Sequence, residues 1–398
     1  MVRSVCILSC CEEKRPAATW AENLYISESF LLSRRYAETH FDKWFVLSAK
    51  YGLLKPGDLA EPYDRQISEL SHVERQALVA SIADGKSKIG PNEGAEFTSF
   101  CASEYNRVLE MAKIHAESSP IAKMSRPEKH AELKKFTDPN GTEVDLENVY
   151  SILQRIIDAR GLIPFREAVR QEMPMAGLYL FFDTHEPRLR DIRQLRVVRV
   201  GTHGVASGSK ASLRDRMRTH YGTAKGGGNH RSSVFRLHVG RALIEKGLVE
   251  PVKSWGTSEL PQNQKWLKME GALEGHVSEY IGNLSVVLLG VPGDSAKDND
   301  RAYLEQNLIA LLSNAFHPLD PPSHQWLGRY SDKAEIRKSG LWNVNHTSQT
   351  YHQQFANMLE YYVRLTLGER TGNKPVAPSD WLASVRDDVR QLRLFSEP

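Results

Sequence analysis

Two short apolar runs set the frame for the second half of this chain: Gly177-Leu178-Tyr179-Leu180-Phe181-Phe182 and Val197-Val198-Arg199-Val200-Gly201. Both are rich in β-branched and aromatic residues and too short for a core helix, so they read as strands. A helical stretch follows and places Arg216 and His220 four residues apart, on one face. Much later Glu305 sits in an apolar helical run, Tyr303-Leu304-Glu305-Gln306-Asn307-Leu308-Ile309. Strands followed by helices predict an α+β unit. Its Tyr179, Arg216, His220 and Glu305 are the side chains that phosphodiester cleavage needs. An attacking water must lose a proton, the phosphate must be neutralised, and the leaving oxygen must be stabilised. A hard divalent cation needs few carboxylates and keeps several waters, so Glu305 alone can serve as its protein ligand. Arg216 would fork onto the phosphate. His220 can carry a proton, and Tyr179 can orient or deprotonate the water.

Bulk properties narrow the class. A chain of 398 residues predicts two or three domains. The net charge is only +3, so any nucleic-acid surface must be local. Cys6, Cys10, Cys11 and Cys101 lack zinc-ligand spacing and follow no secretion signal. They predict reduced thiols and a cytoplasmic setting. No apolar run approaches membrane-spanning length.

The first 118 residues alternate buried strands and helices: Val5–Cys10, a helix from a Ser27 cap to about His40, Trp44–Ser48, Ala95–Cys101, and a helix over Glu104–Ala116. The alternation predicts an α/β domain with a Rossmann-like parallel sheet. Residues 119–171 read as a helical connector, 172–370 as the α+β domain, and 371–398 as a tail.

The Gly177-Leu178-Tyr179 run, the Arg199-Val200-Gly201 run, the helix Leu213–His220 and Glu305 resemble, in that order, the GIY-YIG nuclease family over about 172–350, with a long insert at about 222–275. The resemblance implies a Mg²⁺- or Mn²⁺-dependent phosphodiester hydrolase acting on DNA. The spacing of Arg216 and His220 is that of the family's restriction-enzyme branch. Arg199 stands where the second signature has tyrosine, which puts either proton transfer or phosphate binding in question. His203 falls where the family often has a basic residue. The family's late asparagine is matched by Asn314, Asn343 or Asn345, with Asn345 carried among the candidate catalytic residues.

The insert holds Gly226-Gly227-Gly228-Asn229-His230-Arg231-Ser232-Ser233, whose bare backbone N–H groups suit phosphate. With Lys210, Arg214, Arg218, Lys225 and Arg236 it predicts a DNA-backbone contact through Lys210, Arg214, Arg218, Asn229, His230, Arg231 and Arg236. In the first domain, Cys10-Cys11-Glu12-Glu13-Lys14, Ser48-Ala49-Lys50-Tyr51-Gly52-Leu53-Leu54 and Pro62-Tyr63-Asp64 resemble a bacterial domain family of unknown function. That family is distantly similar to YaaA-like proteins and archaeal RNA-base-modification enzymes. The resemblance implies a nucleobase pocket framed by Cys10, Lys14, Ser48, Lys50, Tyr51, Tyr63 and Asp64. At the tail, Gln391-Leu392-Arg393-Leu394-Phe395 resembles the sliding-clamp peptide of bacterial replication and repair proteins, with Gln391, Leu392, Leu394 and Phe395 as contacts. Together these readings predict a metal-dependent DNA endonuclease with a base-recognising or base-excising first domain, in defence against foreign or modified DNA or in repair. The alternative is a nucleobase glycosylase or transferase whose second domain only holds DNA.

Overall fold

The computed structural model describes residues 4–85, 96–138, 141–203, 211–223, 225–259, 262–294, 299–315 and 318–383. Lys210 and the tail residues Gln391, Leu392, Leu394 and Phe395 lie outside them. The chain forms two compact units, residues 1–140 with 317–319, and 141–316 with 320–398. Segment 119–171 is therefore shared: the helix Arg126–Thr137 belongs to the first unit and the helix Thr142–Arg160 to the second.

The first unit is built on β1 (Ser4–Ser9), β2 (Thr19–Trp20), β3 (Lys43–Ser48), β4 (Gly52–Leu54), β5 (Leu59–Ala60), β6 (Glu96–Phe100) and β7 (Glu117–Ser118). Five of these form a sheet in the order β4-β3-β1-β6-β7, and β2 pairs with β5. β1 runs parallel to β3 and β6, β6 runs parallel to β7, and only β4 is antiparallel. β1 can occupy the centre because Val5, Cys6, Ile7 and Leu8 are all buried, as a strand covered on both faces requires. α1 (Ala21–Leu24) precedes α2 (Glu28–His40), which connects β1 to β3. The Ser27 hydroxyl caps α2 by accepting the Phe30 N–H at 3.3 Å. α3 (His72–Gly85) and α4 (Ser103–Met111) pack on the same core, and α5 (Arg126–Thr137) follows. α4 stops short of the expected Ala116 because Lys113 turns the backbone to φ 57°, which ends the helix.

In the second unit α6 (Thr142–Arg160) leads to β8 (Ile163–Pro164), α7 (Phe165–Ala168), β9 (Gly177–Pro187) and β10 (Leu195–Thr202). β9 and β10 are the two apolar runs of the sequence. β11 (Ser285–Gly290) completes a four-stranded antiparallel sheet in the order β10-β9-β11-β8. α8 (Leu213–Tyr221), α9 (Val234–Glu245), α10 (Gln264–Asn283) and α11 (Asp300–Leu312) pack around it, followed by α12 (Ala334–Ser339) and α13 (Phe355–Thr366). The core joins Tyr179, Phe181 and Val198 of the sheet to Met217, Phe235, Val277, Trp326 and Trp342. Among the described residues no helix is long and apolar enough to cross a membrane.

Candidate active site

The sheet of the second unit brings its two signature glycines into use. Gly201 on β10 pairs with Tyr179 on β9. A Cβ at Gly201 would lie 2.2 Å from the Tyr179 hydroxyl oxygen, so the phenol ring lies across the glycine. A Cβ at Gly177 would lie 2.0 Å from the Leu289 carbonyl of β11. Both positions demand glycine for space, not for an unusual φ.

Tyr179 and His220 are directly bonded, Oη to Nε2, at 2.8 Å. The other imidazole nitrogen, Nδ1, is 2.9 Å from the Ser233 hydroxyl. Ser233 in turn caps α9, accepting the Arg236 N–H at 3.3 Å. A buried chain thus runs Tyr179–His220–Ser233. Burial, then the charges of Arg199, Arg216 and Arg236, hold the His220 pKa well below its ordinary value. The ring is neutral near pH 7, with one nitrogen a donor and the other an acceptor. A serine already accepting from a backbone N–H can give its own proton to Nδ1, which leaves Nε2 as donor to the phenol oxygen. The opposite tautomer reverses both bonds, so the chain can move a proton between Tyr179 and Ser233.

Arg199 and Arg216 act on this chain, and His203 acts with Arg216. The Arg199 guanidinium lies 4.7 Å from the Phe235 ring centre and donates to the Trp342 carbonyl. Its Nε, the Arg216 Nε and the His203 Nδ1 are buried with no hydrogen-bond partner among the described residues. Buried polar atoms are normally paired, so these point to a missing ligand. Burial pushes the Glu305 carboxyl up to about 7, while Arg199, Arg216 and the Thr202 backbone pull it back. Glu305 therefore shares one electrostatic environment with both arginines. His203 is also held below its usual value, by burial and then by Arg301.

The candidate asparagines separate. Asn343 clamps β10: its amide accepts from Val200 N–H at 3.1 Å and donates to Val200 O at 2.8 Å. Asn314 accepts from Asp320 N–H and donates to the Asp320 and Ser339 carbonyls. Asn345 is exposed.

The glycine-rich insert is not the open phosphate cradle that its sequence predicts. Arg236 is fully buried and serves Glu274, Ser278 and the carbonyls of His220 and Tyr221. His230 is buried, bonded to Glu274 at 3.0 Å and stacked on Trp255 at 3.8 Å. Arg231 forms a two-pronged pair with Glu270 at 2.9 Å. Asn229 caps a short turn by accepting from Arg231 N–H. His230, Arg231 and Arg236 thus clamp the fold through Glu270 and Glu274, which takes up most of their donors. Arg214 donates to the Gln171 carbonyl at 2.9 Å, and Arg218 is exposed. Nothing in the sequence announces Glu270 and Glu274 as partners, because they lie about forty residues away. For Ser233 the one local signal is its place before the apolar run 234–245, where a serine suits a helix cap.

The first unit has its own cluster, by the C-terminal ends of β1 and β3. Ser48 Oγ is 2.8 Å from Tyr63 Oη, which is 3.1 Å from Tyr25 Oη. Cys10 Sγ is 3.1 Å from Tyr105 Oη. Lys14 Nζ lies 4.4 Å from the Tyr63 ring and Lys50 Nζ 4.8 Å from the Tyr51 ring. Tyr51 and Tyr63 meet edge to face at 5.7 Å. Burial raises the phenol pKa values of Tyr25, Tyr63 and Tyr105, so all three stay protonated. Asp64 is exposed. Tyr25 and Tyr105 do not stand out in the sequence, since each reads as ordinary core.

Residues 5–135 match a family of unknown function, DUF6884. A 64-residue stretch, 15% of this chain, is 41% identical to the uncharacterized protein YfjM of Bacillus subtilis (strain 168) and covers 43% of that protein, well under its full length. No solved structure matches. Residues 140–368, more than half of the chain, match the model of the GIY-YIG domain, and the chain belongs to that family of nucleases, which are phosphodiester hydrolases.

Proposed function

We propose that the chain is a metal-dependent DNA endonuclease whose reaction centre is Tyr179, Arg199, His203, Arg216, His220 and Glu305. The observation that carries this is that Arg199 and Arg216, each with an unpartnered buried Nε, act on both His220 of the Tyr179–His220 pair and Glu305. The charge relations suit a cation as well. A carboxylate that burial disfavours gains most from a cation, so Glu305 fits Mg²⁺ or Mn²⁺. When bound, such an ion neutralises phosphate charge and stabilises the leaving oxygen. Arg216 and Arg199 hold the phosphate through their free donors. As the water oxygen bonds to phosphorus, Tyr179 takes the water's proton and gives its own phenol proton to Nε2 of the neutral His220, in the tautomer that carries its proton on Nδ1; His220 later releases the extra proton to solvent. The phosphorus bond to the leaving oxygen then breaks, and that oxygen takes a proton from solvent through the neutral His203 imidazole, which accepts on one nitrogen and gives from the other. Supercoiled plasmid should be nicked or linearised with Mg²⁺ or Mn²⁺ by the native chain and not by Glu305→Ala. Equal cutting by both would remove Glu305 from this role.

The Rossmann-like first unit reads a base in this proposal. Phenols that stay protonated, with a thiol and two lysines at the carboxyl edge of parallel strands, offer stacking faces and hydrogen bonds to a heterocycle. Paired with a strand-cutting unit, such a site suits defence against foreign or modified DNA, or repair. Base-modified and plain DNA cut at equal rates would end that reading. A glycosylase or transferase is favoured by the same cluster, because Cys10 offers a nucleophile; base release by Glu305→Ala would establish it. The sliding-clamp partner rests on the sequence of the tail alone.

A further inference from the structure

With His230, Arg231 and Arg236 tied to Glu270 and Glu274, arginines elsewhere on the second unit gain interest as DNA contacts. A cleft of about 580 Å³ opens between α9 and the 329–337 segment, walled by Val252 and Trp255 and bordered by Arg241, Arg329, Tyr330 and Arg337. Its arginines differ in how they are held. Arg241 pairs with Asp332 at 2.6 Å. Arg329 is pinned only by carbonyls, donating to Ser323 O at 2.7 Å and Pro322 O at 2.6 Å. Arg337 donates to Ser331 O at 2.5 Å. Carbonyls orient a guanidinium without cancelling its charge, and neither Arg329 nor Arg337 has a carboxylate partner among the described residues. Arg241, Arg329 and Arg337 outnumber the acidic Glu245 and Asp332 of the lining. Lys246, whose Nζ lies 5.3 Å from the Tyr330 ring, adds a further positive charge at the rim.

One helix links the cleft and the reaction centre: α9 holds Phe235 beside Arg199 at one end and Arg241 of the cleft lining further along. His238 Nδ1 lies 3.5 Å from Asp332 Oδ1, and the charge of Arg199 acts on the same imidazole. Along α9, Arg241 stands eight residues past Ser233, about 12 Å at the helical rise. A duplex advances by the same length in roughly three or four base pairs.

We propose that this cleft holds the phosphate backbone of the bound DNA strand a few nucleotides from the cut, with Arg329 and Arg337 on phosphates and the Tyr330 face against a sugar or base. The inference rests on the nuclease reading of the second unit. Pre-oriented, uncompensated guanidiniums are suited to phosphate, and an aromatic beside them suits the flanking nucleoside.

The test is binding of a fluorescent duplex by the full chain, without divalent cation, at several salt concentrations. Arg329→Gln/Arg337→Gln should weaken binding about tenfold or more and lower the slope of log affinity against log salt by about two, one for each phosphate that no longer has its arginine. Arg329 also ties down backbone, so Arg337→Glu, at an exposed position, is the second variant; it should lower the slope by at least one. Native binding with unchanged affinity and slope in both folded variants would overturn the cleft and leave the nuclease reading standing. No binding of duplex by the native chain would overturn both.

Discussion

At the residue scale the Tyr179–His220–Ser233 chain is the most testable part of the site. Removing the phenol oxygen with Tyr179→Phe should lower cleavage by about 10²-fold or more while the protein stays folded, because a positioned acid–base group contributes on that order. Ser233 acts through His220, so its effect is of another kind. Ser233→Ala should shift the pH profile of cleavage, with a cost of about 1 kcal/mol from the lost cap. Ser233→Thr restores both bonds and should restore the native profile. A stability loss with an unmoved profile would reduce Ser233 to a cap. Glu305 makes an independent prediction for the metal-free protein. Its pKa in the fold, about 7, lies above the unfolded value, so the neutral form favours folding. That stability is complete below the ordinary glutamate range and is lost as pH rises through 7. Glu305→Gln should therefore melt a few degrees higher than the native chain at pH 8 and together with it near pH 4, by calorimetry.

At the element scale the site depends on how β9 and β10 meet. Gly201→Ala forces a methyl into the Tyr179 ring, 2.2 Å from its oxygen. The expected cost is about 1–3 kcal/mol from overpacking, with loss of cleavage as the phenol leaves His220. A variant that melts and cuts like the native chain would mean the ring has room to move. Asn343 supports the same strand from outside. Asn343→Ala leaves the Val200 N–H and C=O without partners. Chemical denaturation should show a loss of about 1–3 kcal/mol. These elements are partly legible in the sequence: the apolar runs point to β9 and β10, and the Arg216–His220 spacing to the working face of α8. Asn343 stands out there only as part of a glycine–tryptophan–asparagine cluster. Its role as a strand clamp needs a partner 143 residues away, which no local pattern records.

At the scale of the whole molecule, the division near residue 140 separates two chemistries. The nuclease domain lies in the second unit, and the proposal gives base preference to the first. A fragment from residue 141 onward should nick plain plasmid with Mg²⁺ or Mn²⁺ and lose any preference for modified bases that the intact chain shows. A fragment that keeps the preference would move base reading into the second unit. Local composition misleads at this scale too. The run Gly226–Ser233 has the residue types of a phosphate loop, yet His230, Arg231 and Arg236 are spent on Glu274 and Glu270.

The sequence by itself determined the strands β1, β3, β6, β9 and β10, though not β4 or β11, and the helix cap at Ser27, and it offered a small set of candidates for phosphodiester chemistry. It could do so because strand periodicity, capping and the Arg216–His220 face are set by neighbours within a few residues. Only the tertiary structure decided which basic residues are paired with carboxylates. A guanidinium buried against Glu274 and one held by carbonyls at a cleft edge look alike in sequence. What separates them is the company each keeps in space, and that is fixed by contacts between elements far apart along the chain.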